Sequence, residues 1–200
     1  MGRRIGIMGG TFSPIHYGHL FIANNALKEL SLDEVIFIPN GNAYMKTGVL
    51  DAKHRIEMTK LAVSDYDAFS VSLIETNRQG NSYSYETISE LHEAYPCDEL
   101  FFIVGADSFL NMENWKCPDL IFKNCTVVVA SRDGNDNQDV LKMKDIITGK
   151  YSCNIEILSI RNFDVSSSLI REYVKVGKDI SKLVPDGVRM YIEENGLYRG

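Results

Sequence analysis

Apolar positions along the chain predict strands alternating with helices. Arg4 to Met8 reads as a short apolar strand, and Leu20, Ile22, Ala23, Ala26, Leu27 and Leu30 recur at helical spacing. A second apolar run, Val35-Ile-Phe-Ile-Pro39, ends at a proline and the polar turn Asn40-Gly-Asn42, as expected of a strand buried on both faces. Asn42 to Leu50 is expected to be loop, with Asp51 capping a helix that runs through His54, Arg55, Met58, Leu61 and Ala62. Phe69 to Ile74 alternates like a third strand, and the polar stretch Glu75 to Ser82 is a candidate binding loop. Tyr83 to Tyr95 has a helical pattern closed by Pro96, and Glu99 to Val104 is the fourth strand. Thr126 to Ala130 and Asn154 to Leu158 supply the fifth and sixth, flanking a helix over Asp139 to Ile147. The serines after Asp164 are natural caps for a helix through Val176, and Asp186 to Asn195 is a last amphipathic helix stopped by Gly196.

No repeat, low-complexity stretch or linker breaks this alternation. It predicts an α/β fold: a doubly wound, mostly parallel sheet with helices on both faces and ligands at the carboxyl ends of the strands. A chain of 200 residues is expected to form one domain, 1–200, with about 160–200 as a helical C-terminal subregion. Composition, with 44% hydrophobic and 24% charged residues, is that of a globular protein, and every apolar run is too short to span a bilayer. Met1-Gly-Arg-Arg leads into a strand that breaks at Gly9-Gly10, without the apolar core of a signal peptide, so a cytoplasmic location and no membrane partner are expected. A net charge of -6 argues against a general nucleic-acid binder, which needs a basic face. Cys97, Cys117, Cys125 and Cys153 lack paired spacing and are expected to be free thiols in or near the core.

Candidate chemistry concentrates in Ile5-Gly-Ile-Met-Gly-Gly-Thr-Phe-Ser-Pro-Ile-His-Tyr-Gly-His-Leu20. Gly9 and Gly10 allow close backbone approach, Pro14 stiffens the turn, and Gly18 leaves no side chain between His16 and His19. A helix start with two imidazoles suits a polyphosphate, because unpaired N–H groups, the positive dipole end and ring donors converge there. Two other readings stay open: a turn shaped by packing alone, and a zinc site, which would need a third ligand that no CxxC or HExxH supplies. Neither a GxGxxG fingerprint nor a Walker sequence is present, which weighs against dinucleotide oxidoreductases and P-loop enzymes.

Gly9-Gly-Thr-Phe-Ser-Pro-Ile-His-Tyr-Gly-His19 resembles the GGTFDPxHxGH signature of the HxGH nucleotidyltransferase superfamily. Further blocks follow in order: His54-Arg55, Gly80-Asn-Ser-Tyr-Ser-Tyr-Glu-Thr87, Phe102-Ile-Val-Gly-Ala-Asp107, Trp115, Ser131-Arg132, Val165-Ser-Ser-Ser-Leu-Ile-Arg171 and Glu194-Asn-Gly-Leu-Tyr198. Together they make the chain similar to the bacterial nicotinate-nucleotide adenylyltransferase family, a Rossmann-like group in NAD biosynthesis. The resemblance implies transfer of the adenylyl group of ATP to nicotinate mononucleotide, giving nicotinate adenine dinucleotide and pyrophosphate by direct in-line attack. It implies that His16, His19 and Arg171 are catalytic, and that Gly9, Gly10, Thr11, Phe12, Lys46, Gly105, Asp107, Arg132, Ser166 and Ser167 complete the ATP-binding set. By the same resemblance Ser84, Tyr85, Thr87, Trp115 and Lys116 bind the nicotinate nucleotide: Trp115 stacks on the pyridine, and the Thr87 hydroxyl with backbone N–H groups near Tyr85 and Lys116 meets its carboxylate. Asp107 is expected to accept from ribose hydroxyls. His54 is read as a supporting residue and Arg55 as an ion-pair partner. Mg2+ is implied with ATP, bridging its phosphates, while no carboxylate cluster announces a protein-built metal cage. Homo-oligomerisation is left open.

Two departures mark this chain. Ser13 stands where the family has Asp, and Ala43-Tyr-Met45 replaces the Pro-Pro-His that precedes the lysine matched by Lys46. Two further hypotheses compete: another acceptor, as in pantetheine-phosphate adenylyltransferases or the glycerol- and choline-phosphate cytidylyltransferases, which lack the Thr87 and Trp115 blocks, and a nucleotide-sensing module without turnover.

Overall fold

The structure is a computed structural model that describes residues 2–41, 49–132, 135–160 and 165–199, the side chains of residues 132 and 135–137 excepted. Six strands, β1 (Arg4–Gly10), β2 (Glu34–Pro39), β3 (Phe69–Val71), β4 (Glu99–Gly105), β5 (Thr126–Arg132) and β6 (Ile155–Ile160), form one sheet of order β3-β2-β1-β4-β5-β6. The pairs β1/β4, β4/β5 and β5/β6 are parallel, with Ile7 opposite Phe102 and Val104 opposite Val129. This is the Rossmann-like α/β class expected from the alternation. Strand order reverses between β1 and β4, the place where such sheets bind ligands beyond their carboxyl ends. Gly9, near the end of β1, and Gly105, which ends β4, are both exposed there.

Among the described residues eight α-helices connect and follow the strands: α1 (Tyr17–Glu29), α2 (Ala52–Val63), α3 (Ser84–Ala94), α4 (Ala106–Leu110), α5 (Pro118–Asn124), α6 (Asn135–Tyr151), α7 (Ser167–Lys175) and α8 (Asp186–Glu194). Four expectations need correction. The third strand is only three residues long, because the chain turns at Leu73, whose carbonyl accepts from Asn77 N–H at 2.9 Å and the Thr76 hydroxyl at 3.0 Å. Asp51 precedes α2 without a side-chain cap bond. Helix α6 spans 17 residues, well beyond Asp139 to Ile147. The short α5, which the apolar pattern does not reveal, starts at Pro118 after Cys117 has taken the left-handed conformation, φ 49°. Proline's preset φ suits that first helical position.

The chain forms two compact units, each discontinuous in sequence: Met1–Gly9, Ile22–Ile36 and Ser82–Asn162 in unit 1, and Gly10–Phe21, Phe37–Asn81 and Phe163–Gly200 in unit 2. Unit 1 centres on β4 and β5, where Leu100 to Val104 and Val127 to Ala130 are all buried, as near-continuous apolar strands of parallel sheets should be. Unit 2 buries Phe12, Ile15, Leu20, Phe37, Met58, Phe69, Ile170, Val188 and Ile192. All four cysteines are free, with Cys97 exposed on the surface rather than in the core. Among the described residues no helix is long and apolar enough to cross a membrane.

Candidate active site

Unit 2 holds the histidine turn. Phe12 takes a left-handed φ of 49°, which drives its ring into the core at 2% exposure, against Phe37 on one side and edge-on to the His19 ring at 5.1 Å. Gly10 makes this fold-back possible, since a Cβ there would lie 2.6 Å from the Phe12 ring. His16 precedes α1 and His19 lies in its first turn, and their rings stack with centroids 3.8 Å apart. The space between them is closed: a Cβ at Gly18 would sit 3.1 Å from His16 Nδ1 and 2.8 Å from Val165 Cγ1. The glycine between the histidines is therefore a steric requirement.

The two imidazoles differ in role. The His16 backbone N–H donates to His19 Nδ1 at 3.3 Å, so that nitrogen carries the lone pair and the ring hydrogen belongs on Nε2. His16 is 7% exposed, and its Nδ1 has no hydrogen-bond partner among the described residues. Burial holds its pKa at about 4, so it is neutral near pH 7. The amides are less open than expected: Tyr17 N–H is taken by Leu183 O at 3.0 Å and His19 N–H by His16 O at 3.0 Å.

Carbonyls of the same turn are clamped by cations and hydroxyls. Arg55, 2% exposed, donates from Nη1 to Thr11 O at 2.9 Å, from Nη2 to Asn40 O and Gly41 O at 2.7 and 2.9 Å, and from Nε to Leu50 O at 3.0 Å. Its work is thus to tie backbone loops together, while the charges of Asp51 and Glu75 also act on it. Arg171 donates to Ser13 O at 2.8 Å and to the Ser168 hydroxyl at 3.1 Å. Ser166 caps α7 by accepting from Leu169 N–H at 3.2 Å, while the Ser167 hydroxyl donates to Pro14 O at 2.8 Å. The Ser167 proton is therefore committed locally, whereas Ser166, an acceptor in its cap bond, keeps its O–H as a donor. His54 Nδ1 lies 3.0 Å from the Tyr191 hydroxyl, in keeping with a supporting role.

Unit 1 holds the other candidates. Trp115 is half-buried, edge-on to Phe102 with centroids 6.4 Å apart, so it is not a fully enclosed core residue. Lys116 is exposed, its Nζ 4.2 Å from the Tyr83 ring centroid and 5.6 Å from that of Tyr85, a cation over two aromatic faces. Thr87 is buried in the first turns of α3, with its hydroxyl 3.5 Å from Tyr83 O; Ser84 and Tyr85 open the same helix half-buried. Asp107 is exposed in the first turn of α4, directly after Gly105, where an added Cβ would meet nothing within 4 Å. Arg132 ends β5, and Lys46 lies outside the described residues. Among the described residues no three His, Cys, Asp or Glu side chains come together as a metal site.

Unit 2 thus assembles Gly10, Thr11, Phe12, His16, His19, Ser166, Ser167 and Arg171, and unit 1 carries Gly9, Ser84, Tyr85, Thr87, Gly105, Asp107, Trp115, Lys116 and Arg132. Sequence reasoning missed what Arg55, Tyr83 and Tyr198 do. All three fall inside the motif blocks given above, but Thr11, Lys116 and Ser13, which they meet, lie 44, 33 and 185 residues away in sequence.

Comparison with known proteins bears on the same residues. The cytidylyltransferase-like family profile matches residues 7–173. A probable nicotinate-nucleotide adenylyltransferase of Clostridium botulinum (strain Eklund 17B / Type B) is 44% identical over 199 residues, 98% of each chain. One from Lachnoclostridium phytofermentans is 39% identical, over 98% of this chain and 99% of the relative. Among solved structures, the Plasmodium falciparum nicotinic acid mononucleotide adenylyltransferase complexed with NaAD shares the fold at TM-score 0.81 and 18% identity, over 98% of this chain and 97% of that one.

Proposed function

The chain belongs to the nicotinate-nucleotide adenylyltransferase family, and on that premise we infer that it transfers the adenylyl group of ATP to nicotinate mononucleotide, forming nicotinate adenine dinucleotide and pyrophosphate. The observation that carries this reading is the stacked pair of His16 and His19 on a clamped turn, in a chain that matches the family along nearly its whole length.

A 5′-phosphate oxygen of the nicotinate nucleotide attacks the α-phosphorus of ATP. The bond from that phosphorus to the oxygen bridging to the β-phosphate breaks, and pyrophosphate departs. An ionised phosphate needs no general base, so what the protein supplies is alignment and positive charge around the non-bridging oxygens. The bond at Nδ1 makes His19 Nε2 the protonated nitrogen, the form that donates to a phosphate, and the stacked His16 ring helps to fix the imidazole in place. Arg171, which donates to a carbonyl and a hydroxyl among the described residues, is the cation that neutralises the leaving phosphates. With the Ser167 proton committed to Pro14 O, the Ser166 O–H and the backbone N–H groups at the start of α7 are the donors for phosphate. Mg2+ would enter with ATP and spread its phosphate charge, held by phosphates and water rather than by a protein cage.

For the acceptor, Trp115 covers the pyridine ring and Thr87 donates to its carboxylate, with Lys116 adding positive charge nearby. A carboxylate accepts and cannot donate, so this donor set favours the acid over the amide. Asp107 accepts from a ribose hydroxyl. Substrates of central nucleotide metabolism support a cytoplasmic location, and the acidic net charge supports the absence of a nucleic-acid partner. The test is an acceptor panel read by pyrophosphate release: nicotinate mononucleotide is expected to be used best, its amide analogue more slowly and phosphopantetheine not at all. Preference for phosphopantetheine would overturn the acceptor assignment.

A further inference from the structure

The Ser13 side chain lies inside the histidine turn, yet no role in transfer falls to it. It is 3% exposed, and its hydroxyl meets the phenol of Tyr198, 185 residues further on, at 3.1 Å. The carbonyl of the same serine accepts from Arg171 Nη1 at 2.8 Å. One buried residue therefore joins a phenol to the guanidinium assigned to the leaving phosphates.

The end of the chain is shaped to deliver that phenol. Leu197 N–H bonds to Ile192 O at 3.0 Å and closes α8, and Leu197 itself is buried at 7% exposure. Gly196 takes φ 59°, and Tyr198 takes φ 64°, a region that side chains other than glycine rarely occupy. Such a conformation costs on the order of 1 kcal/mol and persists where surrounding contacts fix it. Burial pushes the Tyr198 phenol up to about 12, against the opposing pull of Arg171 and Arg55, so it stays a neutral hydroxyl in the working range of the protein. A neutral partner satisfies Ser13 without placing an anion beside Arg171, which keeps its charge for the substrate.

We propose that Tyr198 is a positioning residue for Arg171, acting through Ser13: the phenol fixes the serine, and the serine carbonyl fixes the guanidinium that meets ATP. This rests on the phosphate role given to Arg171 above. Loss of the phenolic oxygen leaves a buried hydroxyl unpaired, and the peptide that Arg171 grips is then free to shift. Because the effect passes through one residue, the phenol and the serine hydroxyl act as a unit.

The experiment is a double-mutant cycle of Tyr198→Phe and Ser13→Ala, with Ser13→Thr retaining the hydroxyl, read by calorimetric MgATP binding, steady-state kinetics and Tm. Each single variant is expected to weaken MgATP binding and raise its KM about 3- to 10-fold, the range of one lost hydrogen bond. The double variant should lose no more than the worse single, the nicotinate nucleotide KM should stay within about twofold, and Ser13→Thr should approach wild type. Additive losses, equal rises in both KM values, or unchanged MgATP binding with a lowered Tm would overturn the proposal. A wild type that binds MgATP but forms no dinucleotide would break the functional reading instead, while the binding cycle still decides the role of Tyr198.

Discussion

His16 shows how one buried group sets both stability and chemistry. Its pKa, lowered by burial from 6.5 to about 4, means that the unfolded chain binds a proton between those values and the folded chain does not. Stability should therefore fall as pH drops from 6.5 toward 4, by on the order of 3 kcal/mol for this residue. Denaturant unfolding measured across that range in wild type and His16→Gln should show the extra slope in wild type alone. Above pH 6.5 His16 contributes no pH dependence, so a rate that tracked its protonation there would contradict a neutral ring. Arg55 makes a different prediction. Four carbonyls converge on it, and Arg55→Leu removes their shared donor at a part-buried site, costing about 3–5 kcal/mol by urea titration. Arg55→Lys should recover only part of this, because a single ammonium cannot span the fork.

At the scale of elements, the apolar runs that form β1, β2, β4 and β5 were legible because inner strands of a parallel sheet are buried almost continuously, whereas the edge strand β6 buries Ile155, Leu158 and Ile160 and exposes Glu156 and Ser159. The exceptions have local causes. Phe69 to Ile74 keeps the alternation of a strand, but the bonds of Thr76 and Asn77 to the Leu73 carbonyl close a turn that no period announces. Helix α5 is seven residues long, under two turns beyond its proline, too short for a periodic signal. Helix α6 was placed but truncated, since its polar first turn carries no apolar stripe. It also contains Gly149, exposed, with nothing within 4 Å of an added Cβ. Gly149→Ala should raise stability by about 1 kcal/mol in thermal or urea unfolding, by limiting the unfolded chain. Gly18→Ala should act in the opposite sense on function: a Cβ 2.8 Å from Val165 and 3.1 Å from His16 displaces the ring stack, so kcat should fall at least tenfold while α1 stays helical by circular dichroism.

For the whole molecule, the alternation of strands and helices was enough to predict the α/β class, and the motif blocks were enough to predict its chemistry. What escaped the sequence was long-range pairing. Nothing in local spacing couples Ser13 to Tyr198, or Thr11 to Arg55, because sequence patterns describe faces of elements and not which distant side chain meets them. The replacement of an acid by Ser13 looked like a loss in the sequence; the structure gives that residue two partners, one through each of its oxygens. Histidines as charge stabilisers in a direct transfer form the central claim. Its most direct test is single-turnover transfer from α-labelled ATP to nicotinate mononucleotide, by wild type and by His19→Ala matched for Tm. The account predicts label in nicotinate adenine dinucleotide, none covalently on the protein, and a rate about 100-fold or more lower in the variant. Label trapped on the protein, or a variant rate near that of wild type, would contradict it.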